Sequence, residues 1–333
     1  MPCFYRVLID RICDRLLRTN RQTDDFYPPI FNQLKGRRRK QGLTMQTKEL
    51  GNTGVKISAI ALGGMPMSLS SRPPESESIK VIHRALNLGV TMIDTADSYC
   101  KDESDKHHNE QLISKALSSY GDTSNVIVAT KGGLMRPNGS WTRNGDPKHL
   151  RETIKISFEA LGGKKPIDVW QYHAPDTDYT IEESLKPAKE AVDEGLIRFV
   201  GVSNFSVEQI KRAREVVDIV SVQNQYNPWY RQPEFDGVLE YCEKEKLTFL
   251  PWSPLGGSRR VGNLEDIKAI ATLSQEKGVS VYNIVLAWLR AKSPVVVPIP
   301  GASKVSSIED SVRAVDVQLS DEEVAKIDSA TAS

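Results

Sequence analysis

Four polar residues at the ends of short apolar runs in this 333-residue chain could together carry out acid-base chemistry. They are Asp94 and Tyr99 in TMIDTADSY, Lys131 in VIVATKGG, and His173 in IDVWQYHAPD. An apolar run that stops at a charged or hydroxylic residue is typical of a buried strand that delivers a side chain to a sheet edge. Because the ends of successive strands in a parallel barrel converge on one face, we expect these four side chains to share one pocket.

These four side-chain types suit the donation of a proton to a carbonyl oxygen. A tyrosine has an unperturbed pKa of about 10, and a nearby ammonium such as that of Lys131 makes it an easier proton donor. A carboxylate beside the lysine keeps it protonated, and an imidazole can hydrogen-bond the substrate oxygen. None of the four is an obvious nucleophile toward a carbonyl carbon, so the pattern predicts a bound cofactor that supplies a hydride.

The elements that must position these residues follow a repeating strand-helix pattern. Apolar runs occur at 55–64, 90–94, 126–130, 167–172, 197–202, 218–223, 247–251 and 294–299. Stretches of helical periodicity such as ESIKVIHRALNLG and HLRETIKISFEALG alternate with them, and several end at a glycine. The pattern predicts an α/β fold, a (β/α)8 TIM barrel over residues 45–333. A doubly wound sheet is the alternative, but no Gly-x-Gly-x-x-Gly turn follows an early strand.

Seven motifs at the ends of these runs carry a family resemblance. In chain order they are DTADSY, TKGG, QYHAPD, GVSNF, VQNQYNP, PWSPLGG and PIPGAS. Together they resemble the aldo-keto reductase family from about Thr47 to the C-terminus. The resemblance implies a (β/α)8 barrel that reduces aldehydes or ketones with NADPH. It also implies a catalytic tetrad, with Tyr99 as general acid in reduction and general base in oxidation, made of Asp94, Tyr99, Lys131 and His173.

The resemblance further implies cofactor contacts along the second half of the chain. The nicotinamide carboxamide would be bound by Ser203, Asn204 and Gln223. An aromatic ring that stacks on the nicotinamide would be that of Trp252. The pyrophosphate would lie along the backbone of Ser253, Leu255 and Gly257. The adenosine end would be held by the segment PGASKVSSIEDS, through Gly301, Ser303, Lys304, Ser307, Asp310 and Ser311.

The adenosine segment departs from the family pattern. Many relatives have an arginine at the position of Ser307, a glutamate at that of Asp310 and an asparagine at that of Ser311. Ser303 and Lys304 remain, and a lysine is an adequate point-charge partner for a phosphate. We therefore expect NADPH to be preferred over NADH more weakly than is usual in the family, with NADH as the alternative cofactor.

The first 44 residues differ in charge from the rest of the chain. They contain eight arginines and two lysines against four aspartates, a net charge of +6, which leaves −5 for the remainder. The cluster GRRRK at 36–40 and a helical spacing of apolar residues could bind a polyanion or a membrane surface. The segment lacks the long apolar stretch of a signal peptide. We predict that residues 1–44 are a disordered extension and are dispensable for catalysis.

Composition limits the compartment and the partners. Four cysteines in a chain of this length, without a CxxC pair, fit a reducing compartment, and we predict a cytoplasmic protein. The overall net charge of +1 implies no nucleic-acid or membrane partner. His107 and His108 are adjacent on a charged loop and lack the spacing of a zinc pair, so we predict no metal site and a solvated loop there. The sequence leaves the oligomeric state open.

The loops after the strands should shape the substrate pocket. The predicted wall consists of Met65 or Met67, Trp141, and Trp229 or Tyr230, whose thioether and aromatic groups favour an apolar or aromatic aldehyde. An anionic substrate stays open, because several loop arginines lie on the same side of the predicted barrel: Arg136, Arg143, Arg231, Arg259 and Arg260.

Two other functions remain open at this point. The family also resembles the β-subunits of potassium channels, so the chain could be a regulatory module that binds NADPH and docks on a partner. An isomerase or lyase on the same barrel would act without nicotinamide, since a fold alone does not determine chemistry.

Overall fold

The computed structural model describes residues 45–331, in which strands and helices alternate. The strands, in chain order, are β1 (Thr47–Glu49), β2 (Lys56–Ser58), β3 (Leu62–Gly63), β4 (Met92–Asp94), β5 (Ile127–Gly132), β6 (Leu134–Met135), β7 (Thr142–Arg143), β8 (Ile167–Tyr172), β9 (Ile197–Ser203), β10 (Ile219–Gln223) and β11 (Thr248–Phe249). The first helices are α1 (Glu75–Asn87), α2 (His108–Ser118), α3 (Pro147–Ala160), α4 (Ile181–Asp193), α5 (Val207–Val216) and α6 (Gln232–Phe235). The later helices are α7 (Val238–Lys244), α8 (Gly257–Arg260), α9 (Lys268–Lys277), α10 (Val281–Lys292), α11 (Val305–Arg313) and α12 (Asp321–Thr331).

Seven of these strands form one curled parallel sheet, in the order β3, β4, β5, β8, β9, β10 and β11. The segment 294–301 contacts both edges of the sheet, with bridges from Val296 to Phe249 and from Gly301 to Gly63. Its prolines lack backbone N–H groups, so it pairs at isolated points and not as a regular eighth strand. The sheet therefore closes, and the predicted (β/α)8 fold is confirmed.

The first predicted strand differs from the structure. The run 55–64 forms two strands, because β2 pairs antiparallel with β1 and only β3 joins the parallel sheet. The β1–β2 hairpin closes the end of the barrel opposite the strand carboxyl ends, with Leu50 and Ile57 fully buried in the interior cluster. An apolar run shows where a chain is buried but not where it changes direction.

A second hairpin, formed by β6 and β7, lies in the long loop after β5 and is called the rim hairpin below. The sequence pattern predicts a loop here, because strands of two residues are too short to show an alternation of apolar and polar residues. The amide of Asn144 donates to the carbonyl of Gly133 at 3.0 Å and closes the hairpin. The hairpin holds Arg136 and Trp141 beside the carboxyl ends of the barrel strands.

The alternation of side chains along each strand separates two apolar layers. One cluster fills the barrel interior, and a larger one packs the sheet against the helices. In β8, Val169 belongs to the interior cluster, whereas Trp170 and Tyr172 belong to the outer one. The interior face therefore continues through Gln171 to His173 at the carboxyl end of the strand.

Residues 1–44 lie outside the described residues, so the disordered extension and the domain boundary at residue 45 stay predictions. Between residues 45 and 331, the helices are too short or too polar for any of them to cross a membrane.

Candidate active site

Lys131, near the end of β5, connects Asp94 at the end of β4 to Tyr99 in the loop that follows β4. Its side chain is fully buried, and its Nζ donates to Asp94 Oδ2 at 2.8 Å and to Tyr99 Oη at 3.0 Å. The third ammonium proton has an acceptor in the carbonyl of Thr95, at 2.7 Å. The Lys131 ammonium therefore has a partner in each of three directions, which fixes its position beside the phenol.

Burial and charge act in opposite directions on the lysine and the tyrosine. Burial raises the pKa of Tyr99 and outweighs the lowering by Lys131, so the phenol is protonated at neutral pH. Burial lowers the pKa of Lys131, but Asp94 and Tyr99 more than offset it, and the net pKa is raised. The pair can therefore present a proton on the phenol and a permanent charge to stabilise the phenolate.

His173 completes the predicted group of four. Its ring lies 5.9 Å from the ring of Tyr99, measured between centroids, at an interplanar angle of 75°. Burial, with a contribution from Lys131, holds the pKa of this imidazole well below its usual range, so the ring is neutral. Its Nδ1 is buried and has no hydrogen-bond partner among residues 45–331.

Sequence reasoning missed Gln171 and assigned Gln223 a different neighbour. Gln223 Nε2 donates to Asp94 Oδ1 at 2.8 Å, and Gln171 Nε2 lies 3.5 Å from the same oxygen. The alternation in DVWQYH was the available signal, because Gln171 stands two residues before His173 on the same face. Gly201 leaves room for it, since a Cβ at Gly201 would lie 3.0 Å from Gln171 Cγ.

The predicted nicotinamide contacts converge near His173. Asn204, at a φ of +64°, donates from Nδ2 to the carbonyl of His173 at 2.9 Å and accepts from Trp252 Nε1 at 3.0 Å. Ser203 is buried next to it, and Trp252 is half-buried and packs against the interior cluster. These bonds orient the indole and the amide.

The predicted pyrophosphate loop follows Trp252 and has unusual backbone angles. The φ angles of Ser253, Gly256 and Gly257 are all positive, and Leu255 is half-buried between them. A Cβ at Gly256 would lie 2.4 Å from Cζ3 of Trp229. Trp229, predicted in the substrate wall, thus packs directly on this loop.

The predicted adenosine contacts divide into two groups. Lys304 and Ser307 are exposed at the start of α11, whose N-terminus has no side-chain cap and no acidic residue in its first turn. Asp310 instead accepts from Ser280 Oγ at 2.6 Å, and Ser311 is buried, so both help to pack α11 on α10. Ser303 is half-buried ahead of the helix.

Gly301 lies close to Pro66 in the turn after β3. A Cβ at Gly301 would lie 2.7 Å from Pro66 Cγ, so the glycine allows the two segments to approach closely. Met65, predicted in the substrate wall, is half-buried in the same turn.

Trp141, another predicted wall residue, lies next to the tetrad. Its ring centroid is 6.5 Å from that of Tyr99, edge-on at 87°, and the side chain is 45 % exposed. Of the predicted wall residues, Trp141 is the one that the structure places in aromatic contact with Tyr99.

A buried polar cluster lies behind Tyr99, where the sequence predicts a solvated loop. His107 is 6 % exposed, and its Nδ1 lies 2.6 Å from Oε2 of the fully buried Glu110. Asp97 is also fully buried, 3.4 Å from Lys106 Nζ, and burial raises its pKa to about 6. The expectation of solvation is wrong because α2 packs this part of the loop against the sheet. The segment is rich in polar residues, so its sequence gives no sign of this burial.

Comparisons with known proteins identify the family of this chain. Residues 59–332 match the Aldo/keto reductase family. The uncharacterized oxidoreductase C215.11c of Schizosaccharomyces pombe is 40% identical over 261 residues, which cover 77% of this chain and 80% of that protein.

Two similar solved structures are enzymes by their names. The thermostable aldo-keto reductase Tm1743, in complex with the inhibitor epalrestat, has a TM-score of 0.73 and 31% identity over 86% of this chain and 100% of its own. The glycerol dehydrogenase AKR11B4 from Gluconobacter oxydans has a TM-score of 0.75 and 26% identity, over 86% of this chain and 95% of its own. With a family match over most of its length, this chain belongs to the aldo/keto reductase family and is an NAD(P)H-dependent oxidoreductase that acts on small carbonyl compounds.

Proposed function

We propose that this protein reduces aldehydes or ketones to alcohols with NADPH, and that Tyr99 is the proton donor. The observation that carries the proposal is the buried ammonium of Lys131, which contacts both Asp94 Oδ2 and Tyr99 Oη. A phenol is a weak acid, and a fixed positive charge at its oxygen stabilises the phenolate that remains after proton donation.

The side chains have separate roles in this mechanism. NADPH, held by Trp252, Ser203 and Asn204, would provide the hydride that reduces the carbonyl carbon. Tyr99 donates its proton to the carbonyl oxygen, and Lys131 stabilises the resulting phenolate. The neutral His173 lies beside the Tyr99 ring and can hydrogen-bond the same oxygen. Asp94, held by Gln223, keeps Lys131 protonated. In the oxidative direction the phenolate accepts the proton.

The residues near the tetrad fit a nicotinamide cofactor. Trp252 offers a half-buried aromatic face for stacking, and Ser203 and Asn204 place polar groups beside it. The glycines after Trp252 leave the backbone open to close approach, as a pyrophosphate requires. The buried Nδ1 of His173 has no hydrogen-bond partner among residues 45–331, so it can still bond to a ligand.

The adenosine end supports NADPH over NADH with a modest margin. Lys304 is exposed at the N-terminus of α11, where the uncapped N–H groups and the helix dipole favour an anion. Ser303 and Ser307 can add hydroxyl contacts. No guanidinium reinforces them at position 307, so we expect weaker discrimination than a bidentate arginine would provide.

The test is cofactor titration followed by turnover. Purified full-length protein is titrated with NADPH and NADH by fluorescence, and oxidation of NADPH is then followed with aromatic, aliphatic and sugar aldehydes. Tyr99→Phe should lower turnover by roughly 10²- to 10⁴-fold, because it removes the proton donor. NADPH affinity should stay within about twofold, since only the hydroxyl is lost.

Tyr120→Phe is the matched control. It removes a hydroxyl that donates to Asn87 on the surface, and turnover should not change. Wild-type turnover in Tyr99→Phe would contradict the assigned role of Tyr99. Tight NADPH binding without turnover of any carbonyl would instead favour a regulatory subunit similar to those of potassium channels.

A further inference from the structure

The rim hairpin holds a buried cation that has no acidic partner in the part of the chain that the structure describes. Arg136 is 7 % exposed, and no carboxylate of residues 45–331 lies within 4.0 Å of its guanidinium. Its Nη2 donates to the carbonyl of Lys101 at 3.2 Å, and its Nε has no hydrogen-bond partner in the same part of the chain. Arg72 and Arg231, also largely enclosed, each pair with a carboxylate. An uncompensated buried charge lowers stability, and a negatively charged ligand beside Arg136 would offset that cost.

The loop after Tyr99 holds this arginine without neutralising it. Glu103 accepts a hydrogen bond from the backbone amide of Arg136, so its carboxylate contacts the main chain and not the guanidinium. The carbonyl of Lys101, in the same loop, accepts from the side chain. Both contacts restrict where the guanidinium lies and leave its charge in place.

Trp141 links this charge to the reacting phenol. The guanidinium carbon of Arg136 lies 3.9 Å from the centroid of the Trp141 ring. The same indole is edge-on to Tyr99, with 6.5 Å between ring centroids, and is 45 % exposed. The cation therefore covers part of the indole at the mouth of the pocket, and the exposed part of the ring is available to a substrate.

We infer that Arg136 and Trp141 form a subsite for the distal end of an aromatic aldehyde that carries a carboxylate, a deduction that depends on the proposed carbonyl reduction. With its carbonyl oxygen at Tyr99, a flat substrate extends along the exposed indole and gains aromatic contact. A negative group on its far side gains from the uncompensated guanidinium, whose field is weakly screened in this enclosed rim. Arg136 is thus a specificity-determining residue, and the substrate carboxylate supplies the negative charge that no residue between 45 and 331 places beside it.

The experiment compares kcat/KM for three aldehydes with NADPH: benzaldehyde, 4-carboxybenzaldehyde and its methyl ester. The ester has the same shape near the ring but no charge. Wild-type protein should favour the acid over the ester by about fivefold or more. Arg136→Met keeps a long side chain without the charge, and it should lower kcat/KM for the acid about tenfold, mainly through KM. Its values for benzaldehyde and the ester should stay within about twofold.

Arg143→Met is the matched control, because Arg143 lies exposed on the same hairpin and carries the same charge. It should leave all three substrates within about twofold. Equal losses for acid and ester in Arg136→Met would overturn the inference and leave Arg136 as a support for Trp141. If Arg136→Met does not fold, equal wild-type kcat/KM for acid and ester would overturn it without the variant. Absence of turnover with all three aldehydes would contradict the proposed function itself.

Discussion

Asp97 shows how one residue of the site can set the pH dependence of stability. It is fully buried, neither carboxylate oxygen has a hydrogen-bond partner among residues 45–331, and burial raises its pKa from 3.8 to about 6 despite the nearby Lys106. The folded protein thus binds this proton more tightly than the unfolded chain does. The contribution of Asp97 to stability must therefore fall as pH rises from about 4 to about 6, and stay lowered above that range.

Asp97→Asn removes this titration. The unfolding free energy of the variant minus that of the wild type should rise by roughly 2 kcal/mol between pH 4 and pH 7. Urea unfolding at several pH values measures it. Lys106, Glu110 and His107 also face Asp97, and because both proteins contain them, their effects largely cancel in the difference. Asp122→Asn at an exposed position should show no such rise, and a pH-independent difference for Asp97→Asn would contradict the buried-charge account.

Lys304 is the second residue whose charge should have a measurable effect, here on cofactor affinity. Lys304→Met should weaken NADPH binding about threefold to tenfold, because one ammonium-phosphate contact at an exposed site is lost. NADH binding should not change. Fluorescence titration of both cofactors measures the ratio, with Lys186→Met on the exposed face of α4 as the control. If Lys304→Met weakened the binding of NADPH and NADH equally, Lys304 would contact a part of the cofactor that both share and not the 2′-phosphate.

At the level of elements, the loop after Trp252 depends on one glycine. Gly256 has a φ of +85°, and an added Cβ would lie 2.4 Å from Trp229 Cζ3 and 2.9 Å from Arg260 Cβ. Gly256→Ala should lower stability by about 1–3 kcal/mol, because the backbone is strained and the indole must move. NADPH affinity should fall as well, since this loop is the proposed pyrophosphate site.

Gly262→Ala is the matched control a few residues later. An added Cβ at Gly262 meets no atom within 4 Å, so neither stability nor NADPH binding should change. Thermal unfolding without cofactor and NADPH titration are separate readouts. Similar melting temperatures for the two variants would show that Trp229 does not constrain the loop.

At the level of the whole molecule, an ion-pair network ties the C-terminal helix to the barrel. Asp328 of α12 lies 3.1 Å from Arg231 Nη2 and 2.8 Å from Lys292 Nζ, and it accepts from Trp288 Nε1 at 2.9 Å. Arg231 follows the loop that carries Trp229, so the network links the C-terminus to the wall of the pocket. Its lysine and arginine are largely enclosed, which makes loss of the shared carboxylate costly.

Asp328→Ala should therefore destabilise the protein by roughly 2 kcal/mol, since it leaves two enclosed cations short of a partner. The midpoint of denaturant unfolding measures this. Asp193→Ala removes an exposed partner of Lys189 and should cost less than about 0.5 kcal/mol. Equal effects of the two substitutions would mean that the network is too hydrated to stabilise the fold.

The sequence by itself determined the barrel and the chemical types in its pocket. Both follow from local patterns: an apolar run ending at a polar residue, a side chain that alternates in direction, and a glycine that ends a helix. Those patterns indicate that Asp94, Lys131 and His173 lie at strand ends, and the structure brings them together with Tyr99.

The tertiary structure alone decided which side chains meet across the barrel. Gln171 and Gln223 reach the same oxygen of Asp94 from 77 and 129 residues away, and no local spacing encodes such a contact. It likewise decided that Arg136 is buried without a carboxylate partner among the described residues and that His107 is enclosed against Glu110. Burial and electrostatics depend on what packs around a group, so they exist only once distant segments have closed around it.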